Sequence, residues 1–347
     1  MPSKKRLLTV LIFFAAAALG GIALEQQPTS TQTQHKNQMQ AQMLPAAAEH
    51  FDGSLIIEPQ AGNAPVLAMI QNASSSIDMV MYELQDMQIE QALANAAARG
   101  VAVRVLLNGG YYGKPDTSIN QPAYDFLQSH GVLVRWTPAY FALTHEKALV
   151  ADKREALIMT FNLTPRYYAS SRDFGIDDKD SADIVAIEQA FDDDWQGVKQ
   201  PASQGDDLLW SPQSADVLLG IITSAHKTLD VYNEEMSDTR IIDALASASE
   251  RGVRVRVVMT YSSNWKSAFI ALEQAGASVH TYAAQAPLYI HAKMIVADGT
   301  EAFVGSQNFS ATSLDSNREG GLVLADPEII TQLEKTFQKD YANAQAF

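Results

Sequence analysis

No cysteine occurs anywhere in the 347 residues. That removes disulfide frameworks, thiolate metal sites and a cysteine nucleophile together. Positive charge is scarce as well. The chain has 25 Lys and Arg against 40 Asp and Glu, a formal net charge of −15. As a whole it gains no electrostatic attraction to nucleic acid or to anionic membranes. That leaves the charge of a local pocket open. Long apolar runs are missing except for one at residues 7–24, which follows the basic cluster Lys4, Lys5 and Arg6. Residues 1–24 therefore read as an export signal, with Ala23 completing a small-x-small cleavage site. The alternative is an uncleaved anchor, because the run is nearly long enough to span a bilayer. From Glu25 to His50, Gln, Thr, Ser and Ala dominate. A stretch so poor in large apolar side chains cannot offset its ordering entropy, so residues 25–50 are expected to be a flexible linker.

What is present beyond that point is a duplication. Ser76-Ile-Asp-Met-Val-Met-Tyr-Glu83 matches Thr228-Leu-Asp-Val-Tyr-Asn-Glu-Glu235, and Ala98-Arg-Gly-Val-Ala-Val-Arg-Val-Leu-Leu107 matches Glu250-Arg-Gly-Val-Arg-Val-Arg-Val-Val-Met259. In both copies a helix ends at Arg-Gly, and the alternating valines that follow suit a buried strand. A second helix and a third strand come next, at His130–Arg135 and Ala275–His280. Repetition of strand, helix, strand, helix, strand argues two duplicated α/β sandwich halves. They are expected at residues 51–200 and 207–347, joined where Pro, Ser, Gln and Gly cluster.

Each half then carries a polar cluster. The second reads His291-Ala-Lys293-Met-Ile-Val-Ala-Asp298, six residues, then Gly305-Ser306-Gln-Asn308. The first reads His145-Glu-Lys147-Ala-Leu-Val-Ala-Asp152, six residues, then Met159-Thr160-Phe-Asn162. On a strand, His and Lys two apart share a face, which sets a titratable ring beside a fixed positive charge.

This pattern resembles the duplicated HxKx4D…GSxN motif of the phospholipase D superfamily, across roughly residues 52–325. Two such strings in equivalent places are far more specific than one. A further regularity fits: Asp173 and Glu319 each stand 28 residues after the motif histidine of their own half, in Arg172-Asp-Phe-Gly-Ile176 and Arg318-Glu-Gly-Gly-Leu322. The resemblance implies a pseudo-twofold molecule with one shared active site and no cofactor or metal. It implies His145 as nucleophile and His291 as general acid, with Asp173 and Glu319 holding the far imidazole nitrogens. Lys147, Lys293, Asn162, Asn308, Thr160 and Ser306 are then expected on the substrate phosphate, and Asp152 and Asp298 are expected to be structural. Met159 departs from the family's Gly, and is expected to crowd the phosphate or narrow the pocket.

Within the family the same core cleaves phospholipids, transfers phosphatidyl groups or cuts nucleic acid. An exported, acidic chain without a Lys/Arg-rich face favours phospholipid headgroups at a membrane surface, acted on by a monomer with no obligate protein partner. A secreted nuclease is the alternative. Phosphatidyl transfer and a noncatalytic phosphate-binding module stand behind it. Glu83 and Glu235 end equivalent strands and are candidates for the mouth of the site. Tyr111, Tyr112, Tyr167, Tyr168 and Trp265 are loop aromatics for which ordinary packing is an equal reading. The acidic runs Asp177-Asp178 and Asp192-Asp-Asp194 read as solvated faces.

Overall fold

A computed structural model describes residues 51–111 and 114–347. The export signal, the linker and Tyr112 lie outside them. The first half runs β1 (Gly53–Glu58), α1 (Ala64–Asn72), β2 (Ser76–Met81), α2 (Met87–Ala98), β3 (Ala102–Leu107), β4 (Gly110–Tyr111), β5 (Lys114–Pro115), α3 (Gln121–Ser129) and β6 (Leu133–Trp136). It continues with β7 (Ala148–Ala151), β8 (Glu155–Met159), α4 (Pro165–Tyr168), β9 (Ser171–Asp178) and α5 (Ser181–Gln196). The second half repeats this as β10 (Leu208–Ser211), α6 (Ala215–Ser224), β11 (Thr228–Tyr232), α7 (Thr239–Glu250), β12 (Arg254–Thr260), α8 (Lys266–Gln274) and β13 (Ser278–Tyr282). There follow β14 (Tyr289–Ile290), β15 (Met294–Ala297), β16 (Glu301–Gly305), α9 (Ala311–Asp315), β17 (Glu319–Leu324), α10 (Pro327–Asn343) and β18 (Gln345–Ala346).

Each half builds one mixed sheet. The orders are β1-β9-β8-β7-β2-β3-β6 and β10-β17-β16-β15-β11-β12-β13-β18. The parallel trios β2-β3-β6 and β11-β12-β13 are joined through helices, as parallel neighbours must be. Gly100 and Gly252 close the helices before β3 and β12, and both sit at φ +93°, where a Cβ is disfavoured. Helices α1–α3 and α6–α8 bury their apolar residues on the outer face of their own sheet. The inner faces meet in a shared core: Ile158 and Phe174 from one half, Val304 and Leu322 from the other, with Ile187 of α5 and Phe337 of α10. The α/β halves thus share one interior rather than standing as beads.

Two buried ion pairs lock that interior. Arg318 donates to Asp194 on α5 at 2.7 and 2.8 Å, and Arg172 donates to Asp340 on α10 at 2.6 and 3.2 Å. The reading of the acidic runs as solvated faces is therefore corrected for Asp178, Asp193 and Asp194. Asp194 is buried against Arg318, Asp193 is buried, and Asp178 is fully buried, with burial pushing its carboxyl up to about 8. Those aspartates lie on the inward side of their elements, a side that helical spacing in a run of three acids does not reveal.

Asp152 and Asp298 open the hairpin turns β7–β8 and β15–β16 at φ +53° and +54°, a left-handed region that Asp tolerates better than most residues. Each carboxylate reaches back to the turn before the parallel trio. Asp152 accepts from the amides of Ser74, Ser75 and Ser76 and from the hydroxyls of Ser74 and Ser75, at 2.7–3.0 Å. Asp298 accepts from the amides of His226, Lys227 and Thr228 at 2.7–2.9 Å. Burial opposes the charge on Asp152, but the amides of Ser76 and Ser75 and both contacts from Ser74 outweigh it and hold the carboxyl well below its usual range. Asp152→Ala is expected to cost about 2–3 kcal/mol, the scale of hydrogen bonds to one charged acceptor. Urea unfolding checks this, and turnover per folded molecule should be retained.

Candidate active site

The two motif segments do not lie inside strands. His145 and Lys147 precede β7, and His291 and Lys293 precede β15. Each segment docks on the opposite half. The amides of His145 and Glu146 both donate to the carbonyl of Arg318, at 2.8 and 3.0 Å. Those of His291 and Ala292 both donate to the carbonyl of Arg172, at 3.1 and 2.8 Å. The short strand β14 pairs in parallel with β9 and extends this exchange.

The docking sets the pairing of histidine and carboxylate crosswise. His145 Nδ1 lies 2.8 Å from Glu319 Oε2, and His291 Nδ1 lies 2.8 Å from Asp173 Oδ1. Each carboxylate therefore serves the histidine of the other half, although the equal spacing within each copy gave no hint of it. Both acids are fully buried, and burial opposes their charge. The imidazole each holds, with the lysines and hydroxyls around it, keeps both below the usual carboxylate range. Glu319 is caged by Ser306, Ser313 and Asn317 at 2.6–2.9 Å, and Asp173 by Thr160 and Ser171 at 2.5–2.6 Å.

That cage corrects one expectation. Thr160 and Ser306 are fully buried, and each hydroxyl donates to a carboxylate, Thr160 to Asp173 and Ser306 to Glu319. A hydroxyl has one proton, so neither is free to donate to a phosphate. Met159 is corrected too. Its side chain is buried in the first-half core with Phe161 and Leu163 and, unlike Phe161, does not line the cleft. At Gly305, its counterpart, a Cβ would meet Gln307 Oε1 at 2.3 Å and Gly321 Cα at 2.7 Å. The first half puts Phe161 where the second has Gln307, so no such amide oxygen stands in the way of Met159.

Both histidines line one cleft of about 250 Å³, together with Asn162 and Asn308. The Oδ1 atoms of both asparagines are buried without a partner. Lys147 and Lys293 are buried beneath, each donating to the carbonyl of its motif histidine at 2.5 and 2.6 Å. Burial pushes Lys147 down to about 7, with Glu319 opposing and Lys293 adding to the fall. Glu83, Glu235, Tyr167 and Tyr168 also line the cleft, whereas Trp265 packs on the second-half core.

The surroundings of the two histidines differ. The Nδ1 of His145 faces two acceptors, Glu319 and the Ser306 carbonyl at 3.1 Å, so that nitrogen carries a hydrogen. Burial pushes its ring down to about 4 against the pull of Glu319, which leaves a neutral imidazole with its Nε2 lone pair free at neutral pH. The ring of Tyr82 stands edge-on to it at 4.6 Å. The Nε2 of His291 instead lies 3.4 Å from Glu234 Oε2, so both its nitrogens face carboxylates. Glu234 was not evident in the sequence, because its counterpart in the first copy is Tyr82 and comparing the copies shows shared residues only.

A family model described as "Cardiolipin synthase, PLD-like domain" matches residues 66–195 and 218–341. The cardiolipin synthase of Listeria monocytogenes serotype 4a (strain HCC23) is 24% identical over 326 residues, covering 79% of this chain and 66% of its own length. The chain thus spans just under two thirds of that relative. The mitochondrial cardiolipin hydrolase of Danio rerio is 31% identical over 124 residues, 35% of this chain and 54% of that protein. In fold, the phosphatidylserine synthase of Haemophilus influenzae Rd KW20 superposes with a TM-score of 0.71 at 12% identity, covering 92% of both chains.

Proposed function

Since the chain belongs to the phospholipase D superfamily, we propose that it is a metal-independent phosphodiesterase that hydrolyses phospholipid headgroups through a phosphohistidine on His145. The observation that carries this reading is the unequal pair in one cleft: a neutral imidazole with a free Nε2, opposite one flanked by two carboxylates. In the first step His145 Nε2 attacks phosphorus and the bond to the headgroup oxygen breaks. His291 gives its Nε2 proton to that oxygen. In the second step His291, now neutral, takes a proton from water. The water oxygen attacks phosphorus, the His145–phosphorus bond breaks and a phosphatidate leaves. Lys147 and Lys293 supply positive charge to the nonbridging oxygens, and Asn162 and Asn308 turn their amides toward the same place.

The lining favours lipid over nucleic acid. Glu83, Glu234 and Glu235 line the cleft, with Arg166 beside Glu83, and a nucleic-acid backbone would meet repulsion there. The relatives named as cardiolipin synthases support phosphatidyl transfer as a second outcome, with an alcohol replacing water in the second step. Among the described residues no helix is long and apolar enough to cross a membrane. The export signal read at residues 1–24 would bring a monomer to the lipid surface from outside the cytoplasm. Purified protein in excess EDTA is expected to release headgroup from phospholipid vesicles and to leave single-stranded DNA intact, with His291→Ala silent on both. DNA cleavage without headgroup release would replace the lipid reading by the nuclease.

A further inference from the structure

Glu234 occupies a place that the chemistry of the cleft assigns to substrate. Its Oε2 lies 3.0 Å from Lys293 Nζ, 3.4 Å from His291 Nε2 and 3.5 Å from Asn308 Nδ2. Those are a lysine, an imidazole and an asparagine that would surround a nonbridging phosphate oxygen. Its Oε1 accepts from the hydroxyl of Tyr289 at 2.9 Å. The carboxylate therefore stands in for one oxygen of a bound phosphate. The other half has no such group. β2 and β11 pair equivalently with β7 and β15, which places Tyr82 opposite Glu234. The Tyr82 ring covers Lys147 at 5.0 Å and brings no charge. Burial acts against the charge on Glu234, but Lys293 and His291 outweigh it and hold the carboxyl well below its usual range. The side chain keeps 25% of its surface exposed, so it has room to turn aside into the cleft.

We propose, resting on the phosphodiesterase reading above, that Glu234 is a specificity-determining residue that admits monoanionic phosphodiesters and rejects dianionic phosphate monoesters. A diester bears one negative charge at any working pH. To bind, it displaces one carboxylate from Lys293 and brings an equal charge, so the charge directly on Lys293 is unchanged while the displaced carboxylate stays in the cleft. A monoester gains a second charge near neutral pH, its second pKa being about 6. That extra charge sits within a few ångströms of Glu234, where a like charge is disfavoured. Glu83 and Glu235 add to the same field from the cleft wall. The product of headgroup hydrolysis is itself a monoester, so the residue that tolerates the substrate drives out the product.

Calorimetric titration near pH 7, where Lys147 still carries charge, with dimethyl phosphate as diester and inorganic phosphate as the ligand that brings the second charge, tests this without turnover. The native protein is expected to prefer dimethyl phosphate. Glu234→Gln keeps the shape and removes the charge, and should tighten inorganic phosphate by about tenfold relative to dimethyl phosphate, which corresponds to about 1.4 kcal/mol. Glu234→Asp, which restores the charge, should restore the preference. A residue that merely positions Lys293 would weaken both ligands together in Glu234→Gln. That result, an unchanged preference, or no phosphate binding to either protein overturns the proposal. The vesicle assay fails separately: a preference that switches with Glu234 in a protein that releases no headgroup keeps the selectivity and removes the hydrolysis.

Discussion

His291→Ala is expected to lower turnover of a phospholipid by about 10⁴-fold, the upper range for a general acid–base group, yet to leave one chemical step intact. With a nitrophenyl phosphodiester the leaving oxygen needs no proton, so His145 still attacks. The second step then lacks the base that activates water. The variant should show a burst of about one nitrophenolate per molecule and then stall, with an acid-labile phosphoryl adduct on His145 visible by mass spectrometry. His145→Ala should show neither burst nor adduct. The difference follows from the geometry. His145 has its Nδ1 committed to Glu319 and its ring kept neutral by burial, whereas His291 faces carboxylates through both nitrogens. A burst in His145→Ala, with the adduct on His291, would reverse the two roles.

Much of this arrangement was legible in the chain because duplication shows the same solution twice. The Arg-Gly helix ends, the alternating strands and the His-x-Lys strings are local patterns, and local patterns survive in one dimension. Their docking does not. The equal spacing of Asp173 and Glu319 from their own histidines reflects common ancestry of the copies, but the sheets exchange their motif segments and the carboxylates cross over. Thr160 and Ser306 looked like phosphate ligands because a hydroxyl near the site suits an oxyanion. A buried carboxylate in need of donors is the stronger claim on their protons. Asp194 looked solvated until its partner Arg318 arrived from more than a hundred residues away. Glu234 escaped notice for the opposite reason, since it is a place where the two copies differ.

Glu319→Gln carries the second large effect, and it should appear in the half that does not contain Glu319. Glu319 accepts from His145, Ser306, Ser313 and Asn317, so a glutamine there brings an amide into a ring of donors and strands at least one of them. His145 loses the acceptor that fixes its hydrogen on Nδ1, and turnover is expected to fall about 10²- to 10⁴-fold, the scale seen when a buried orienting carboxylate is neutralised beside a catalytic imidazole. The pH profile gives the sign. In the native protein, kcat/KM should be lost as pH falls through about 4, where His145 takes a proton, and as pH rises through about 7, where Lys147 loses the charge it offers the phosphate. Glu319 raises both groups. Removing its charge should therefore move both limbs to lower pH while the plateau drops. Nitrogen-15 imidazole spectra should show the change of tautomer at His145 and leave His291 as it was. Asp173→Asn should do the reverse, disturbing His291 alone. A Glu319→Gln protein whose His291 resonances shift while those of His145 stay fixed would show that each carboxylate serves its own half, and with that the exchange of motif segments between the sheets would have to be abandoned.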